Sequence, residues 1–403
     1  MPDAEFVNLF AVAAIALVAP LLIAFAPPAL RIPAVVLEIV AGIVVGPSVL
    51  GWVDADLPVQ VVALLGLAFL LFLAGLEIDV HRLRGPGLRA ALLGYGLTVL
   101  IGLLAGAGFG LAGWVASPLL VAITLSATSL GLVVPVLKDS GRLGGALGQT
   151  VVAASSVADF AAVLLLSLLF STAEGSTASR VVLLVMFVLV VALTAGVLLA
   201  AERVKALGAA VVRLQDTTAE IRVRGAVVLL IAFVVLAEAF GLESILGAFL
   251  AGVVVGVLDR DASSHPRFRV KLEAIGFGFL IPVFFVTSGI RLDLSGLLAD
   301  PAALARVPLF LAALLAARGV PALLYARRFD RRSVLAAALL QATSLPFVIT
   351  ATQIGVLTGL MSPVTAAALV CAGLLSVLFF PATAVALLRV PARQPVVHGA
   401  EGP

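Results

Sequence analysis

The chain has 403 residues, 63% of them apolar and only 12% charged, with a net charge of +3. Soluble domains carry roughly 25% charged and 45–50% apolar residues, and a globule of this length has too little interior to hide so greasy a sequence. Composition therefore excludes an ordinary soluble protein and implies a chain whose solvent is lipid.

The apolar residues gather in stretches of about 20, the length that crosses a hydrocarbon core of about 30 Å. Thirteen such stretches are predicted, at 6–26, 33–51, 57–77, 90–112, 116–137, 146–171, 181–201, 225–240, 242–258, 273–290, 304–326, 333–357 and 363–388. The runs are continuous and rich in Leu, Ala, Val and Gly, unlike the short alternating segments of a membrane barrel. They are read as helices, because a lone segment in lipid must satisfy its own backbone. The expected fold is an all-α polytopic membrane protein of about 13 helices.

The first stretch follows Pro2, Asp3 and Glu5 with no basic region ahead of it, which predicts a retained helix and not a cleaved leader. The second carries Glu38 beside Gly42 and Gly46, a spacing suited to close helix packing. Glu38 is a candidate secondary ion ligand or a hydrogen bond between helices. Glu77 closes the third stretch and Glu238 the eighth, and both are read as solvated or capping.

The fifth stretch reads Leu125-Ser126-Ala127-Thr128-Ser129-Leu130-Gly131, with Pro135 beyond, and the twelfth reads Gln341-Ala342-Thr343-Ser344-Leu345-Pro346. Small polar residues next to Gly or Pro predict interrupted helices. The breaks fall at Thr128, Ser129 and Gly131 in one and at Thr343, Ser344 and Pro346 in the other. Unwound carbonyls can coordinate a cation, and half-helix ends present partial charges to it. The alternative is intact helices whose Ser and Thr hydroxyls bond to carbonyls one turn back.

Asp159 lies at the centre of the sixth stretch. A carboxylate at mid-bilayer costs roughly 2.5–3.5 kcal/mol, so it persists where it is paired or used. Burial favours its protonated form and a nearby cation its ionised form, so proton and metal ion compete for one group. Ser155, one turn earlier on the same face, and Ser156 are candidate oxygen ligands, and Thr128 and Ser129 at the first break are counted with them as ion-binding residues. Arg318 sits inside the eleventh stretch, nine residues or about 13.5 Å from its end at Arg327. Its guanidinium stays charged and must pair. Asp159 or a helix-end carbonyl is the expected partner, with Arg318 compensating the carboxylate when the site is empty; snorkelling to the surface is the alternative. Cys371, the single cysteine, is read as a buried structural thiol, and His81, His265 and His398 share no ligand spacing. No metal centre, cofactor or enzymatic nucleophile–base pair is expected; the only metal is a transported monovalent cation.

Of 25 Lys and Arg residues, 21 fall on alternate loops, among them Arg82, Arg84, Arg203, Lys205, Arg260, Arg327, Arg328, Arg331 and Arg332. The positive-inside rule makes that side cytoplasmic, with the N-terminus outside and the C-terminus inside, as a multi-pass protein of the cell (inner) membrane. The basic loops are read as topology signals facing anionic lipid, not as a nucleic-acid surface.

Two strings recur. Ala41–Gly46 resembles Ala251–Gly256, and Ala127–Leu130 reappears as Ala342–Leu345; the turns Gly75–Asp79 and Gly289–Asp293 also correspond. The offsets of 210, 215 and 214 residues each equal seven helices. Seven is odd, so the second copy enters the membrane inverted, the signature of alternating-access transporters with a midplane site.

These residues also carry a family resemblance. Leu37–Gly51, Leu71–Asp79, Val133–Lys138, Gly247–Gly252 and Pro282–Val286 with Gly289 resemble, in order, signatures of the cation:proton antiporter-2 family over about residues 30–385. The resemblance implies a thirteen-helix homodimer exchanging Na⁺ or K⁺ for H⁺, with two crossed discontinuous helices. It implies a dimerisation part at about 6–51 and 181–258, a mobile core at about 57–171 and 273–388, and a short tail at 391–403. By position Asp159 looks like the essential aspartate and Arg318 like a core basic residue, and Thr128 and Ser129 fall at the first break. Two positions depart from the pattern: Ala158 where many relatives have an acid or amide, and Ser344 where many have a glutamate. With Asp159 the one evident proton carrier, electroneutral one-for-one exchange is expected. The sequence runs about fifteen residues past the thirteenth stretch, so nucleotide-dependent regulation would call for a separate subunit. A sodium-coupled symporter of small anions, or a non-transporting membrane subunit, are the alternative readings.

Overall fold

The computed structural model describes residues 6–25, 33–78, 86–170, 177–202, 213, 217–259 and 266–389, and every regular element among them is helical. In chain order they are α1 (Val7–Phe25), α2 (Ala34–Val45), α3 (Leu57–Leu76), α4 (Pro86–Leu111), α5 (Pro118–Ser126), α6 (Leu130–Asp139), α7 (Ala146–Leu169) and α8 (Thr177–Glu202). Then come α9 (Ile221–Ala239), α10 (Ser244–Leu258), α11 (Pro266–Ile275), a π-helical turn (Gly276–Leu280) and α12 (Ile281–Ile290). The chain ends with α13 (Leu294–Ala299), α14 (Pro301–Gly319), a 3₁₀ turn (Val320–Tyr325), α15 (Arg331–Gln341), α16 (Pro346–Leu357) and α17 (Pro363–Arg389). Nine stretches among the described residues are long and apolar enough to cross a membrane, and Val7–Leu22, Ala34–Val45 and Ser244–Leu258 are shorter apolar helices. With α9 they correspond one for one to the thirteen expected stretches.

The ends are set by local chemistry. Asp56 caps α3 by accepting from the Val59 N–H at 3.2 Å, Ser117 caps α5 through the Leu120 N–H at 3.2 Å, and Asp300 caps α14 through Ala302 at 2.9 Å. A proline follows each cap, at Pro58, Pro118 and Pro301, where a missing N–H costs nothing. The second stretch is shorter than expected: α2 stops at Val45 instead of running to 51. Pro47 has no N–H to continue the ladder, and Gly51, at φ +63°, lets the chain fold back so that Trp52 and Val53 donate to the Val45 carbonyl.

The repeat is visible in the packing. Gly42 of α2 lies against the Val286 carbonyl and Gly289 of α12, while Gly289 lies against the Ile39 carbonyl. The second copy repeats the device: Gly252 of α10 lies on the Phe72 carbonyl of α3, and Gly75 of α3 lies on the Phe249 carbonyl. A Cβ at any of these positions would strike backbone. Each repeat's glycine helix therefore packs on the other repeat's following helix, and α3–α10 and α2–α12 are the most extensive of the helix contacts made by these elements. Helices α4 to α7 and α14 to α17 pack mainly on one another, through α4–α5, α14–α17 and α15–α17.

Candidate functional site

Two interrupted helices cross at the centre of that second group. The first break is Ala127–Ser129, between α5 and α6, and the second is Ala342–Leu345, between α15 and α16. Lost helical bonds are replaced across the crossing: the Ser129 N–H donates to the Thr343 carbonyl at 2.8 Å, and the Leu345 N–H donates to Ser129 Oγ at 3.1 Å. Gly131, expected in the first break, is instead the second residue of α6, with open space where a Cβ would stand. Hydroxyl-bearing side chains make this break, so no glycine is required. Pro346 opens α16, as its missing N–H suits.

Asp159, on α7, is 9% exposed and points its carboxylate at the start of α6. Oδ1 accepts the Thr128 N–H at 2.9 Å and Oδ2 the Leu130 N–H at 3.3 Å. These are the otherwise orphaned donors of a half-helix N-terminus, whose partial positive charge suits an anion. Ser155, one turn earlier, has a buried Oγ without a hydrogen-bond partner among the described residues. Ser156 is also buried.

Arg318 is 2% exposed, so it does not snorkel. It reaches the opposite kind of helix end. Its Nε donates to Thr128 Oγ1 at 2.9 Å and, more weakly, to the Gln341 carbonyl at 3.3 Å, and Nη2 also donates to Thr128 Oγ1. Nη1 reaches Thr98 Oγ1 at 3.4 Å. Gln341 is the last residue of α15, where the helix dipole favours a cation. The guanidinium thus takes the helix-end carbonyl, and Thr128 stands between it and Asp159. The backbone N–H of Thr128 serves the carboxylate, and its hydroxyl accepts from Arg318 and donates to the Gln341 carbonyl at 2.7 Å. That hydroxyl has no remaining lone pair for a metal ion. Gln341 is itself oriented by a 3.3 Å bond from Nε2 to the Tyr325 hydroxyl.

The other expected residues divide. Thr343 and Ser344 lie in the second break; the Thr343 hydroxyl donates to the Leu339 carbonyl at 3.1 Å, and Ser344 Oγ is buried with no partner among the described residues. The Ser344 backbone is tied to Ser376 Oγ through its N–H and carbonyl, both at 3.2 Å. Glu38 is 4% exposed on α2, a helix that packs on α12 away from the crossing. Cys371 is a free thiol, half-buried instead of buried. The three histidines lie outside the described residues. Glu77 is the C-cap of α3, one of the two roles expected of it, and it is not fully solvated: its Oε2 is buried and without a hydrogen-bond partner among the described residues, and the charged groups acting on it are Asp159, Glu273 and Arg269. Sequence position at a helix end gave no sign that charges as far along the chain as Arg269 and Glu273 would act on it.

Fold and site together define a polytopic helical membrane protein built around one carboxylate at the crossing of two broken helices. The family described as sodium/hydrogen exchanger, transmembrane, matches residues 13–390, and the chain belongs to it. Among its relatives is the Bacillus subtilis protein YjbQ, named for Na⁺/H⁺ antiport, 34% identical over 388 residues that cover 91% of this chain and 61% of that one. An Enterococcus hirae Na⁺/H⁺ antiporter is 32% identical over 66% of this chain and 68% of its own. The chain thus spans about three fifths of the length of the first of these relatives. The structure of the sodium proton antiporter MjNhaP1 from Methanocaldococcus jannaschii, at pH 8, superposes with a TM-score of 0.66 at 18% identity, covering 95% of this chain and 98% of the other, and shares the fold.

Proposed function

We propose that the chain exchanges a monovalent cation, Na⁺ or K⁺, for H⁺ on Asp159. The observation that carries this reading is the carboxylate itself, buried mid-span and held by two backbone N–H groups at a half-helix end. Those donors offset the cost of the charged form without neutralising it, so the group accepts either a proton or a metal ion. The free Oγ of Ser155 is the adjacent oxygen for the ion, with Ser156 next to it on the same helix. Thr128 and Ser129 position the site: one links the carboxylate to Arg318, and the other staples the two breaks. Arg318 holds its charge against the α15 carbonyl end and balances the carboxylate through Thr128.

A cation arriving at Asp159 displaces a proton, and one group carrying either ion gives electroneutral one-for-one exchange. Alternating access requires the site to face each side in turn. The packing supports a division into a mobile bundle, α4 to α7 with α14 to α17, and a scaffold of α1, α2 and α9 to α12. In this division α3 and the 266–290 helix side with the scaffold, because the glycine seams bind them to α10 and α2. The scaffold would carry the homodimer contact, with the N-terminus outside and the C-terminus cytoplasmic.

The test is reconstitution into vesicles with a pH-sensitive dye inside, followed by addition of Na⁺, K⁺ or Li⁺. A cation-driven pH change that disappears in Asp159→Asn supports the reading. Exchange that survives the substitution rejects Asp159 as the carrier, and exchange that follows an imposed membrane potential rejects the stoichiometry.

A further inference from the structure

A cavity of about 770 Å³ lies outside the ion site, between α14, the 3₁₀ turn and α15. Its size falls within the roughly 300–1,000 Å³ of ligand pockets. Leu315, Gly319, Val320, Leu323 and Leu335 form apolar walls, and Arg331 stands at the rim. Val320, Leu323 and Leu335 are exposed at 40%, 63% and 50%, so the cavity is a groove open along its side. The rim belongs to the segment at the start of α15 that carries Arg327, Arg328, Arg331 and Arg332 against the single Asp330. By the positive-inside rule this segment lies at the cytoplasmic face, where anionic headgroups collect. The Asp330 carboxylate caps α15, accepting the Arg332 N–H at 3.1 Å, and offsets one of the four arginines, so the segment stays strongly basic.

We propose that this groove binds one anionic phospholipid, with an acyl chain along the apolar walls and the phosphate at Arg331. The charge pattern selects this occupant. A purely apolar groove in a bilayer accepts any tail, whereas a guanidinium at its mouth prefers a phosphate-bearing headgroup of net negative charge. The inference rests on the chain lying in a membrane and not on the exchange reading. The site abuts the ion machinery nonetheless. Gly319 follows Arg318 directly, and Ala338, another wall residue, lies three residues before Gln341, whose carbonyl accepts from Arg318. A lipid seated here braces the two helices that hold the guanidinium.

The experiment takes the purified full chain in detergent and titrates it with phosphatidylglycerol or phosphatidylcholine of identical acyl chains. Bound lipid is counted by native mass spectrometry. Wild type is expected to retain phosphatidylglycerol over phosphatidylcholine. Arg331→Gln is expected to lose about fivefold of that preference, the worth of one basic contact at the membrane surface. Arg331→Lys should keep most of it, and Arg332→Gln, outside the groove, should keep all of it. Leu323→Trp should lower retention of both lipids by filling the groove, with Leu335→Trp as the substitute should the first variant misfold. Equal retention of the two lipids by wild type would overturn the proposal. So would an equal loss in Arg331→Gln and Arg332→Gln, which would mark diffuse attraction to the segment.

Discussion

Replacing Thr128 by valine separates the two jobs this residue does. The backbone N–H to Asp159 is untouched, while the hydroxyl that accepts from Arg318 and donates to the Gln341 carbonyl is removed with little change in shape. Arg318 is then left with the Gln341 carbonyl at 3.3 Å and Thr98 at 3.4 Å, both long contacts. A hydrogen bond to a buried charge is worth about 1.5–3 kcal/mol and a neutral one about 0.5–1.5 kcal/mol, so a net loss of about 2–4 kcal/mol is expected. Thr128→Ser keeps the hydroxyl and gives up one methyl group, about 0.8 kcal/mol. Thermal unfolding in detergent and dye-monitored exchange in vesicles are the paired assays. Thr128→Val should melt clearly below Thr128→Ser. It should also exchange at least tenfold more slowly, since about 1.4 kcal/mol at the site corresponds to a factor of ten. If the two variants melt together and exchange at one rate, the hydroxyl does not hold Arg318 and the bridging role is wrong.

Gly42→Ala and Gly252→Ala should each destabilise the protein by about 1–3 kcal/mol or more, because the new methyl meets a backbone carbonyl, whereas Gly131→Ala should be neutral or stabilising; thermal unfolding of the three reads the contrast. Ser155→Ala should raise the apparent KM for the cation while leaving the melting temperature near wild type, since the lost oxygen has no hydrogen-bond partner among the described residues; an unchanged KM removes Ser155 from the ligand set. Because a proton and a cation share one carboxylate, the apparent KM for the cation should rise about tenfold for each unit the pH falls on the acid side of the profile, by mass action. A flat profile contradicts competition. The Ser333 hydroxyl and the first N–H groups of α15 hold the Asp330 carboxyl below the usual carboxylate range. A lowered folded value stabilises the protein above the unfolded value of about 3.9 and ceases to do so as pH falls through the folded one. Asp330→Ala should therefore lower the melting temperature slightly at pH 7, with the difference closing below about pH 4.

Much of this was legible in the residues. Hydropathy alone delimits most of the spans, since lipid permits few alternatives, and the paired strings at Ala41 and Ala251 mark two of the places where backbones meet without a Cβ. Asp159 and Ser155 share a face simply by lying four residues apart on one helix. What could not be read was contact between distant segments. Arg318 was expected to meet Asp159 or a helix-end carbonyl, and it takes the carbonyl with Thr128 interposed, a result of how α15 crosses α5. Gly131 invited the break because glycine ends helices, yet Ala127–Ser129 supply it through hydroxyl and backbone bonds that exist only once the second break lies alongside. Glu77 caps α3, as its position at the end of the stretch suggests, but the burial of its Oε2 could not be read from that position.

The reciprocal glycine seams bear on how such a chain is made. Gly42 finds its partner carbonyl roughly 250 residues downstream, and at about 5–20 residues per second the ribosome takes on the order of 10–50 s to deliver it. Throughout that interval the early helices sit in the bilayer with a notched surface and nothing to fill it. The first half cannot reach its final packing until the second emerges, so biogenesis is governed by late, non-local docking. Two halves translated as separate polypeptides should then mature only when made together in the same cell.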